Sequence, residues 1–258
     1  MKEDCKIISK KHPTPFAIQM ELEVGTMVRD TFQNPGQFVH IRCGEGMLLR
    51  RPISVSTTTI PEDPSKPDSL TILFEARGEG TTWLAERQEG EILDVMGLLG
   101  NGFSMTEGRY LIVGGGIGIP PMLGCAQHIK GEHTAILGYR SKSHLCLVQE
   151  MEQHCAKVRI ATDDGGAGYH GYVDALLREE LALDANYTAI LACGPKPMLK
   201  AIATLAKEYK LPCQVSMEER MGCGVGACLV CACEKADGTR AHVCKDGPIF
   251  DANEVVLG

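Results

Sequence analysis

A group of cysteines near the end of the sequence limits most strongly what this chain can fold into. The spacing is C-x4-C-x2-C, followed by a fourth cysteine after twelve further residues: Cys223, Cys228, Cys231 and Cys244. This is the spacing of a plant-type 2Fe–2S site, in which four thiolates converge on two irons. Gly222, Gly224 and Gly226 allow the loop backbone to take positive φ values and to approach the cluster without a Cβ in the way. Residues 218–258 are too few for an independent core, so the sequence predicts a small C-terminal module held together by metal.

Disulfides, structural zinc and chance clustering are the alternatives to an iron–sulfur site at these cysteines. Disulfides need an oxidising compartment, but the chain begins MKEDCKIISKK with no apolar leader, which favours a reducing cytoplasm. Structural zinc usually uses two short CxxC-like knuckles, whereas three cysteines here share one nine-residue loop. Chance clustering would leave the regular spacing without a cause.

Other cysteines lie outside the C-x4-C-x2-C…C pattern. Cys233 is an alternative ligand that spacing alone does not exclude, although x2 fits better than x4 between the second and third ligands. Six more are scattered among apolar neighbours and are interpreted as small core residues: Cys5, Cys43, Cys125, Cys146, Cys155 and Cys213.

The composition indicates a globular protein of one or two domains plus a small module. The 258 residues are 44% hydrophobic, which is enough for a buried core. A net charge of −7 argues against nucleic acid or an anionic membrane as the main partner. The most apolar run, 110–123, is broken by glycines and prolines and is shorter than the ~20 residues that span a bilayer. We therefore expect neither a nucleic-acid nor a membrane partner.

The first part of the chain, residues 1–104, has the pattern of β-strands. Apolar side chains alternate with other residues from Phe16 to Val24, the period of a half-buried strand. Asn34-Pro35-Gly36 is a turn signal before the next strand, and further short apolar segments follow at intervals. Regular short strands of this kind predict an antiparallel barrel or sandwich.

Strands alternate with helices from residue 105 to residue 217. Strands are predicted at 110–113, 134–138, 158–162, 187–192 and 213–217, with helices between them at 120–130, 147–154, 173–180 and 196–210. This alternation predicts a doubly wound parallel sheet covered by helices.

Two glycine turns follow strands of this predicted sheet. Gly114-Gly115-Gly116-Ile117-Gly118 precedes a helix that opens with Pro120, and Cys193-Gly194-Pro195 follows a later strand. Such glycines let N–H groups reach a pyrophosphate at a helix N-terminus, although they also serve simply to pack a strand against a helix. The first turn departs from the G-x-G-x-x-G fingerprint, because Pro120 stands in place of the last glycine. Two such turns at one edge of the sheet predict a dinucleotide site.

A third segment at this edge has two equal interpretations. The carboxylates of Asp163 and Asp164 follow Thr162 at the end of a predicted strand. They suit the hydroxyls of a ribose, and they equally suit the cap of a turn.

The barrel region contains candidate ligands for a phosphorylated heterocycle. Arg51-Pro52-Ile53-Ser54 places a permanent cation beside a hydroxyl, the first suited to phosphate and the second to a heterocycle. Gly80-Thr81 precedes a helix predicted at 82–87, which is a second place where an anion could bind. Taken alone, Arg51 is equally suited to an ion pair at the surface.

Together these segments resemble the ferredoxin–NADP reductase superfamily. The residues that carry the resemblance are Pro35-Gly36-Gln37-Phe38, Arg51-Pro52-Ile53-Ser54, the turn 114–120 and Cys193-Gly194-Pro195. Within the superfamily, the segments 218–228, 100–103 and 163–171 are similar to the electron-transfer subunits of class B dihydroorotate dehydrogenase. The resemblance runs through the whole chain in the right order.

The resemblance implies FAD in the barrel, NAD in the α/β domain and a 2Fe–2S cluster in the C-terminal module. The FAD contacts it implies are Arg51, Pro52, Ile53, Ser54, Leu73, Phe74, Glu75, Gly80 and Thr81. The NAD contacts it implies are Gly114, Gly116, Gly118, Cys193 and Gly194. It also implies an FMN-containing catalytic subunit as partner, in a two-plus-two heterotetramer of pyrimidine biosynthesis. The sequence offers no set of residues that could bind and deprotonate dihydroorotate, so we expect no catalytic residue in this chain and expect that chemistry on the partner.

A nicotinamide takes electrons in pairs as hydride, a 2Fe–2S cluster passes them singly, and a flavin does both. The implied route is therefore from partner FMN through the cluster and FAD to NAD+. Rival functions are a reductase feeding an oxygenase, a flavin/iron–sulfur NAD(P)H reductase or diaphorase subunit, and a non-enzymatic redox sensor. An appended plant-type ferredoxin needs a longer gap before its last cysteine. The choice between NAD and NADP stays open, because Arg140, Lys142 and His144 suit either a ribose or solvent; the family implies NAD.

Overall fold

The fold begins with a closed β-barrel. A computed structural model describes residues 2–258. In chain order, the elements of the barrel region are β1 (Lys2–Lys11), β2 (Ala17–Glu23), α1 (Met27–Thr31), β3 (Phe38–Ile41), β4 (Arg51–Thr59), β5 (Ser69–Glu75), α2 (Glu79–Ala85) and β6 (Ile92–Leu99). The strands close in the order β1-β2-β5-β4-β3-β6, and every neighbouring pair is antiparallel. The predicted antiparallel barrel is confirmed.

Alternate side chains of the strands fill the barrel interior. On β2, Ile18, Met20 and Leu22 are buried, whereas Gln19 and Glu21 between them are only half-buried. Successive side chains of a strand point to opposite faces, so the period-two pattern decides which residues enter the core. On β3 the inward residues are Val39 and Ile41, which leaves Phe38 and His40 on the outer face.

The second part of the chain is a parallel sheet with helices on both faces. Its elements are β7 (Tyr110–Gly115), α3 (Ile119–His128), β8 (His133–Tyr139), α4 (Val148–His154), β9 (Lys157–Thr162), β10 (Tyr169–His170), α5 (Val173–Leu183), β11 (Ala189–Cys193), α6 (Lys196–Glu208) and β12 (Cys213–Ser216). The strand order is β10-β9-β8-β7-β11-β12, with all pairs parallel. One apolar core contains α3 and α4 and the other contains α5 and α6, which confirms the doubly wound sheet.

The C-terminal residues form a hairpin and one more strand of the large sheet. These strands are β13 (Ala232–Glu234), β14 (Arg240–His242) and β15 (Ile249–Asp251). β13 and β14 pair with each other, whereas β15 pairs antiparallel with β12 and becomes the seventh strand of the sheet. Val243 and Phe250 lie in the same buried core as α5 and α6. The module therefore shares the core of the α/β domain.

Several elements differ from the sequence-based expectations. The helix predicted at 82–87 begins earlier, as α2, because the Thr81 hydroxyl accepts the Gly78 N–H and caps the first turn. The strands β1 and β15 and the helix α1 have no clear signal in the sequence; β1 has charged residues on most of its exposed face. Among the helices of residues 2–258, none combines the length and apolar character needed to cross a bilayer.

Candidate functional site

The loop after β12 folds its backbone around the sulfur of Cys223. That sulfur accepts N–H groups from Val225 at 3.4 Å, Ala227 at 3.2 Å and Cys228 at 3.4 Å. Burial opposes ionisation of this thiol, but the N–H groups outweigh burial and lower the pKa of Cys223 to about 6. Several donors aimed at one sulfur stabilise a thiolate, which is the form that binds iron.

The four cysteines predicted to hold the cluster lie in two pairs. Cys223 lies beside Cys228, whose sulfur accepts the Cys223 N–H at 3.3 Å. Cys231 lies beside Cys244, whose N–H donates to the Cys231 sulfur at 3.4 Å. The Gly226 N–H donates to the Cys244 sulfur at 3.1 Å and so connects the first pair's loop to the second pair.

The two pairs of thiols suit a cluster of two irons. Within residues 2–258, no group of three or more His, Cys, Asp or Glu side chains is arranged to hold a metal ion. In a 2Fe–2S cluster each iron takes two protein ligands, so two pairs of thiols joined by one loop match its donor set.

Cys233 is separate from the two pairs. It lies on β13, is only 5% exposed, and its sulfur faces the N–H of Ala241 on β14. Burial raises the pKa of this thiol. The position supports a packing role for Cys233, and Cys231 stays the predicted third ligand. All twelve cysteines are free thiols, and of the six scattered ones Cys146 alone is half-buried while the rest are buried.

The cysteine loop packs on the outside of the barrel. Gly224, at φ +75°, lies against His40 of β3, and a Cβ at residue 224 would stand 2.6 Å from the His40 Nδ1. His40 pairs in register with Pro52 of β4. The loop therefore lies one strand away from the segment predicted to bind FAD. Reasoning from the sequence missed His40, although a histidine within the apolar segment 38–41 is the signal that could have revealed it.

The predicted FAD contacts lie on three elements of the barrel region. Arg51–Ser54 begin β4, Leu73–Glu75 end the neighbouring β5, and Gly80 and Thr81 are in the first turn of α2. The Arg51 guanidinium lies so close to Gly80 that a Cβ at residue 80 would collide with it. A permanent cation thus lies against a glycine backbone, an arrangement that suits a phosphate.

Some of the predicted side chains point away from this space. Ile53 and Phe74 are part of the barrel core, and Leu73 packs in the core of the α/β domain. Any contact that these three make with a flavin therefore has to come from their backbone. Ser54 and Glu75 are half-buried, and the Glu75 carboxylate accepts the Arg77 Nε–H at 2.7 Å.

The two glycine turns predicted to bind NAD meet at the carboxyl edge of the sheet. Gly114 at the end of β7 is in register with Cys193 at the end of β11. A Cβ at Gly118 would collide with the Cys193 carbonyl, whereas Gly116 has open space around it. The strand β5 lies beside the turn Gly116–Gly118, so the predicted FAD and NAD segments approach each other.

Side chains near this edge differ in their availability. Burial raises the pKa of Cys193 to about 12, against the opposing effect of the Ser216 hydroxyl, so its thiol is neutral. The Asp164 carboxylate accepts the Gly166 N–H at 2.8 Å, and the Thr162 hydroxyl donates to the Ala167 carbonyl at 2.7 Å. Of the two interpretations of this segment, these bonds favour the turn cap.

The three basic residues after β8 also differ in how free their side chains are to bind a ligand. Arg140 and Lys142 are exposed, but the His144 Nδ1 lies 2.8 Å from the Ser141 hydroxyl. The His144 ring also stacks on Phe16 of the barrel region, with ring centroids 4.2 Å apart. Arg140 and Lys142 therefore have more freedom than His144 to contact a nucleotide.

Comparison with known proteins decides the family. Residues 218–256 match the iron–sulfur cluster binding domain of dihydroorotate dehydrogenase B, and residues 112–204 match the oxidoreductase NAD-binding domain. The chain is 38% identical to the dihydroorotate dehydrogenase B (NAD+) electron transfer subunit of Bacillus pumilus, over 97% of this chain and 96% of that protein. The subunit of the same name from Caldanaerobacter subterraneus is 39% identical over 87% of each chain. The chain belongs to the family of dihydroorotate dehydrogenase B electron transfer subunits.

Solved structures show the fold that this electron transfer subunit family shares with other reductases. A chain of the NADH-dependent reduced ferredoxin-NADP oxidoreductase, solved to study flavin-based electron bifurcation, superposes with a TM-score of 0.85 at 28% identity. The match covers 98% of this chain and 90% of that one. Ferredoxin-NADP+ reductase from Plasmodium falciparum has a TM-score of 0.61 at 13% identity, covering 80% of this chain and 89% of that one. The ferredoxin–NADP reductase-like fold is confirmed.

Proposed function

We propose that this chain is the electron-transfer subunit of an NAD-dependent dihydroorotate dehydrogenase. It binds FAD at the barrel, a 2Fe–2S cluster in the loop 223–244 and NAD at the edge of the sheet. The observation that carries the proposal is the packing of the cysteine loop on β3, one strand from the FAD segment. Bound together, the three groups connect single-electron transfer at the cluster with hydride transfer at the nicotinamide.

The residues of the chain have distinct tasks in this proposal. The four cysteines hold the irons, and the N–H groups around Cys223 stabilise the thiolate charge. Arg51, held over Gly80, binds the FAD pyrophosphate, and the Ser54 hydroxyl bonds the flavin heterocycle. Gly118 and Cys193 shape the NAD site by letting the two turns pack without side chains between them.

The surface around the cysteine loop supports a partner subunit. Val225, Leu229 and Val230 are 51%, 59% and 57% exposed, and Cys228 is exposed beside them. Apolar side chains grouped at the surface are typical of an interaction site. An FMN-containing catalytic subunit, which oxidises dihydroorotate itself, is the partner we propose for this surface, in a two-plus-two complex. Twelve free thiols suit a protein of the reducing cytoplasm.

A flavin/iron–sulfur NAD(P)H reductase or diaphorase subunit is the second candidate. The observation in its favour is the 0.85 TM-score, over 98% of this chain, with the NADH-dependent reduced ferredoxin-NADP oxidoreductase. The 38–39% identity to the dihydroorotate dehydrogenase subunits favours the first candidate.

Anaerobic spectroscopy on the purified chain tests the proposal. We expect one flavin, two irons and two sulfides per chain, with rapid bleaching of the flavin on addition of NADH. Mixed with an FMN-containing catalytic subunit, the chain should transfer electrons from dihydroorotate to NAD+, and neither protein should do so alone. Flavin without iron would indicate a plain reductase, and iron without NADH-driven flavin reduction would indicate a sensor.

A further inference from the structure

His40 is a buried polar residue that the functions described so far do not use. It lies on the outer face of β3, where a side chain would normally meet solvent, yet it has no exposed surface. The cysteine loop covers the His40 side chain, since the Nδ1–Cε1 edge of the ring faces Gly224. A Cβ at Gly224 would stand 2.6 Å from Nδ1 and 3.2 Å from Cε1.

Both ring nitrogens of His40 are buried without a hydrogen-bond partner among residues 2–258. An imidazole ring carries at least one N–H donor in either protonation state. The backbone groups of Arg50 and Cys223 are beside the ring, but neither is hydrogen-bonded to it. Buried polar groups are normally paired, so an apolar residue would fill this place at less cost.

The contact is directed at one peptide unit of the cluster loop. The carbonyl of Cys223 belongs to the peptide that precedes Gly224, and the next N–H groups of the loop, on Val225, Ala227 and Cys228, are the donors to the Cys223 sulfur. A small rotation of that peptide would change the direction of these donors. The barrel side of the contact is fixed, because the Arg50 guanidinium donates to the His40 carbonyl at 3.2 Å and to the Asp94 carboxylate at 2.7 Å.

We infer that His40 is a positioning residue for the cluster: with the cluster bound, its Nδ1–H donates to the Cys223 carbonyl and holds the loop so that its N–H groups point at the Cys223 sulfur. This rests on the proposed function, because it requires a cluster in the loop and a flavin in the barrel. Hydrogen bonds to cluster sulfurs set the reduction potential, so His40 acts on the potential through the loop. The barrel and the cluster are in this way linked by one side chain.

The test compares His40→Leu with His40→Asn in the full chain. Asparagine places an amide donor where Nδ1 stands, whereas leucine fills the space without a donor. The readouts are flavin and iron content, the midpoint potential from an anaerobic dye titration, and the EPR g-values of the reduced cluster. His133→Leu is the matched control, because His133 is a second buried histidine with an unpaired Nε2, at the start of β8 in the α/β domain.

We expect His40→Leu to keep its flavin and to show shifted g-values and a more negative cluster potential. The expected change is about tenfold in the equilibrium for cluster reduction, equivalent to ~59 mV for one electron. His40→Asn should recover most of the change, and His133→Leu should show none. If His40→Leu loses iron but keeps flavin, His40→Asn should restore iron.

Unchanged potential and g-values in an iron-replete His40→Leu would overturn the inference and leave His40 as a space-filling residue. Failure of His40→Asn to restore iron or the potential, including the case in which His40→Leu does not fold, would also overturn it. A wild-type chain without iron or flavin would instead refute the proposed function, and that result is read before any variant is made.

Discussion

Gly118 lies directly against the backbone carbonyl of Cys193, so two turns from distant parts of the sequence form one surface at the end of the sheet. The strands that carry them, β7 and β11, are neighbours in the parallel sheet. A ligand laid across this edge meets the backbone of both turns at once, as expected for open α/β sheets.

Gly118→Ala should therefore impair the use of NADH. The new Cβ would collide with the Cys193 carbonyl and push the two turns apart. We expect a roughly tenfold to hundredfold loss in kcat/KM for NADH-driven dye reduction, because small displacements of a binding turn are costly. Flavin and iron content should stay at wild-type levels. Equal kinetics in the variant would show that NADH binds elsewhere.

Gly80→Ala should weaken FAD binding, since its Cβ would occupy the place of the Arg51 guanidinium. Loss of one charge-assisted contact to a phosphate corresponds to about a tenfold increase in Kd. Gly78→Ala is the matched control, because a Cβ there meets nothing within 4 Å. Flavin release on dilution, followed by fluorescence, measures both. Similar flavin release from the two variants would mean that Arg51 does not contact FAD.

Cys228→Ser should lose iron and sulfide, whereas Cys233→Ser should keep both. The Cys228 sulfur lies in the first pair of the loop, and Cys233 is packed on β13 against β14. Structural metal ligands contribute directly to folding, so the 218–258 segment of Cys228→Ser should also be cut faster by protease. Iron analysis and limited proteolysis provide the two measurements. Loss of iron from Cys233→Ser would mean that Cys233, rather than Cys231, is the third ligand.

Val230→Ser should weaken binding to the catalytic subunit without loss of iron. The side chain is 57% exposed next to the cysteine loop, and burying a valine at an interface is worth about 1–2 kcal/mol, or roughly tenfold in Kd. Leu183→Ser, at the end of α5 and 78% exposed, is the control for an apolar surface residue elsewhere. Titration calorimetry with the catalytic subunit compares them. Equal affinities would place the partner on another face.

Asp94→Asn should lower the stability of the fold at neutral pH and change how that stability depends on pH. Burial would raise the pKa of Asp94, but hydrogen bonds from Arg50 and Lys2 bring it below its ordinary value. Because the folded-state pKa is depressed, the carboxylate stabilises the fold above its unfolded pKa of about 4, and this contribution is lost as pH falls through the folded-state pKa. We expect a loss of about 1–2 kcal/mol in the free energy of unfolding at pH 7.

Urea denaturation at pH 7 and near pH 3 measures this difference. The gap between Asp94→Asn and the wild-type chain should shrink at the lower pH. A gap of the same size at both values would mean that the charge of Asp94 contributes nothing and that only its shape matters.

The fold could be predicted from the sequence where the pattern is local. Alternation along 16–24 predicts β2, and the switch to strands and helices after residue 105 predicts the sheet. The strand β1 could not be predicted, because Lys and Asp residues on its exposed face hide the apolar side chains that enter the barrel. β15 is only three residues long, and its pairing with β12 comes from tertiary packing rather than from its own sequence.

The candidate site shows the same division. The cysteine spacing is local, so the ligand set could be proposed from sequence, and the two sulfur pairs support it. Ile53 and Phe74 were expected at the flavin, but inward packing leaves only their backbone for that contact. His40 stands out in the sequence as a histidine within an apolar segment, but its contact with Gly224 could not be predicted, because Gly224 is far away along the chain.

The place of β15 in the sheet has a consequence for how the protein is made. Until residue 251 has left the ribosome, β12 is an open edge whose backbone groups have no partner on that side. Iron delivery and closure of that edge involve the same stretch of nascent polypeptide, since Cys244 precedes β15 by only a few residues. The predicted metal centre and the last strand of the nucleotide-binding sheet are therefore built from one short segment, and β12 keeps an unpaired edge until the residues that follow Cys244 are in place.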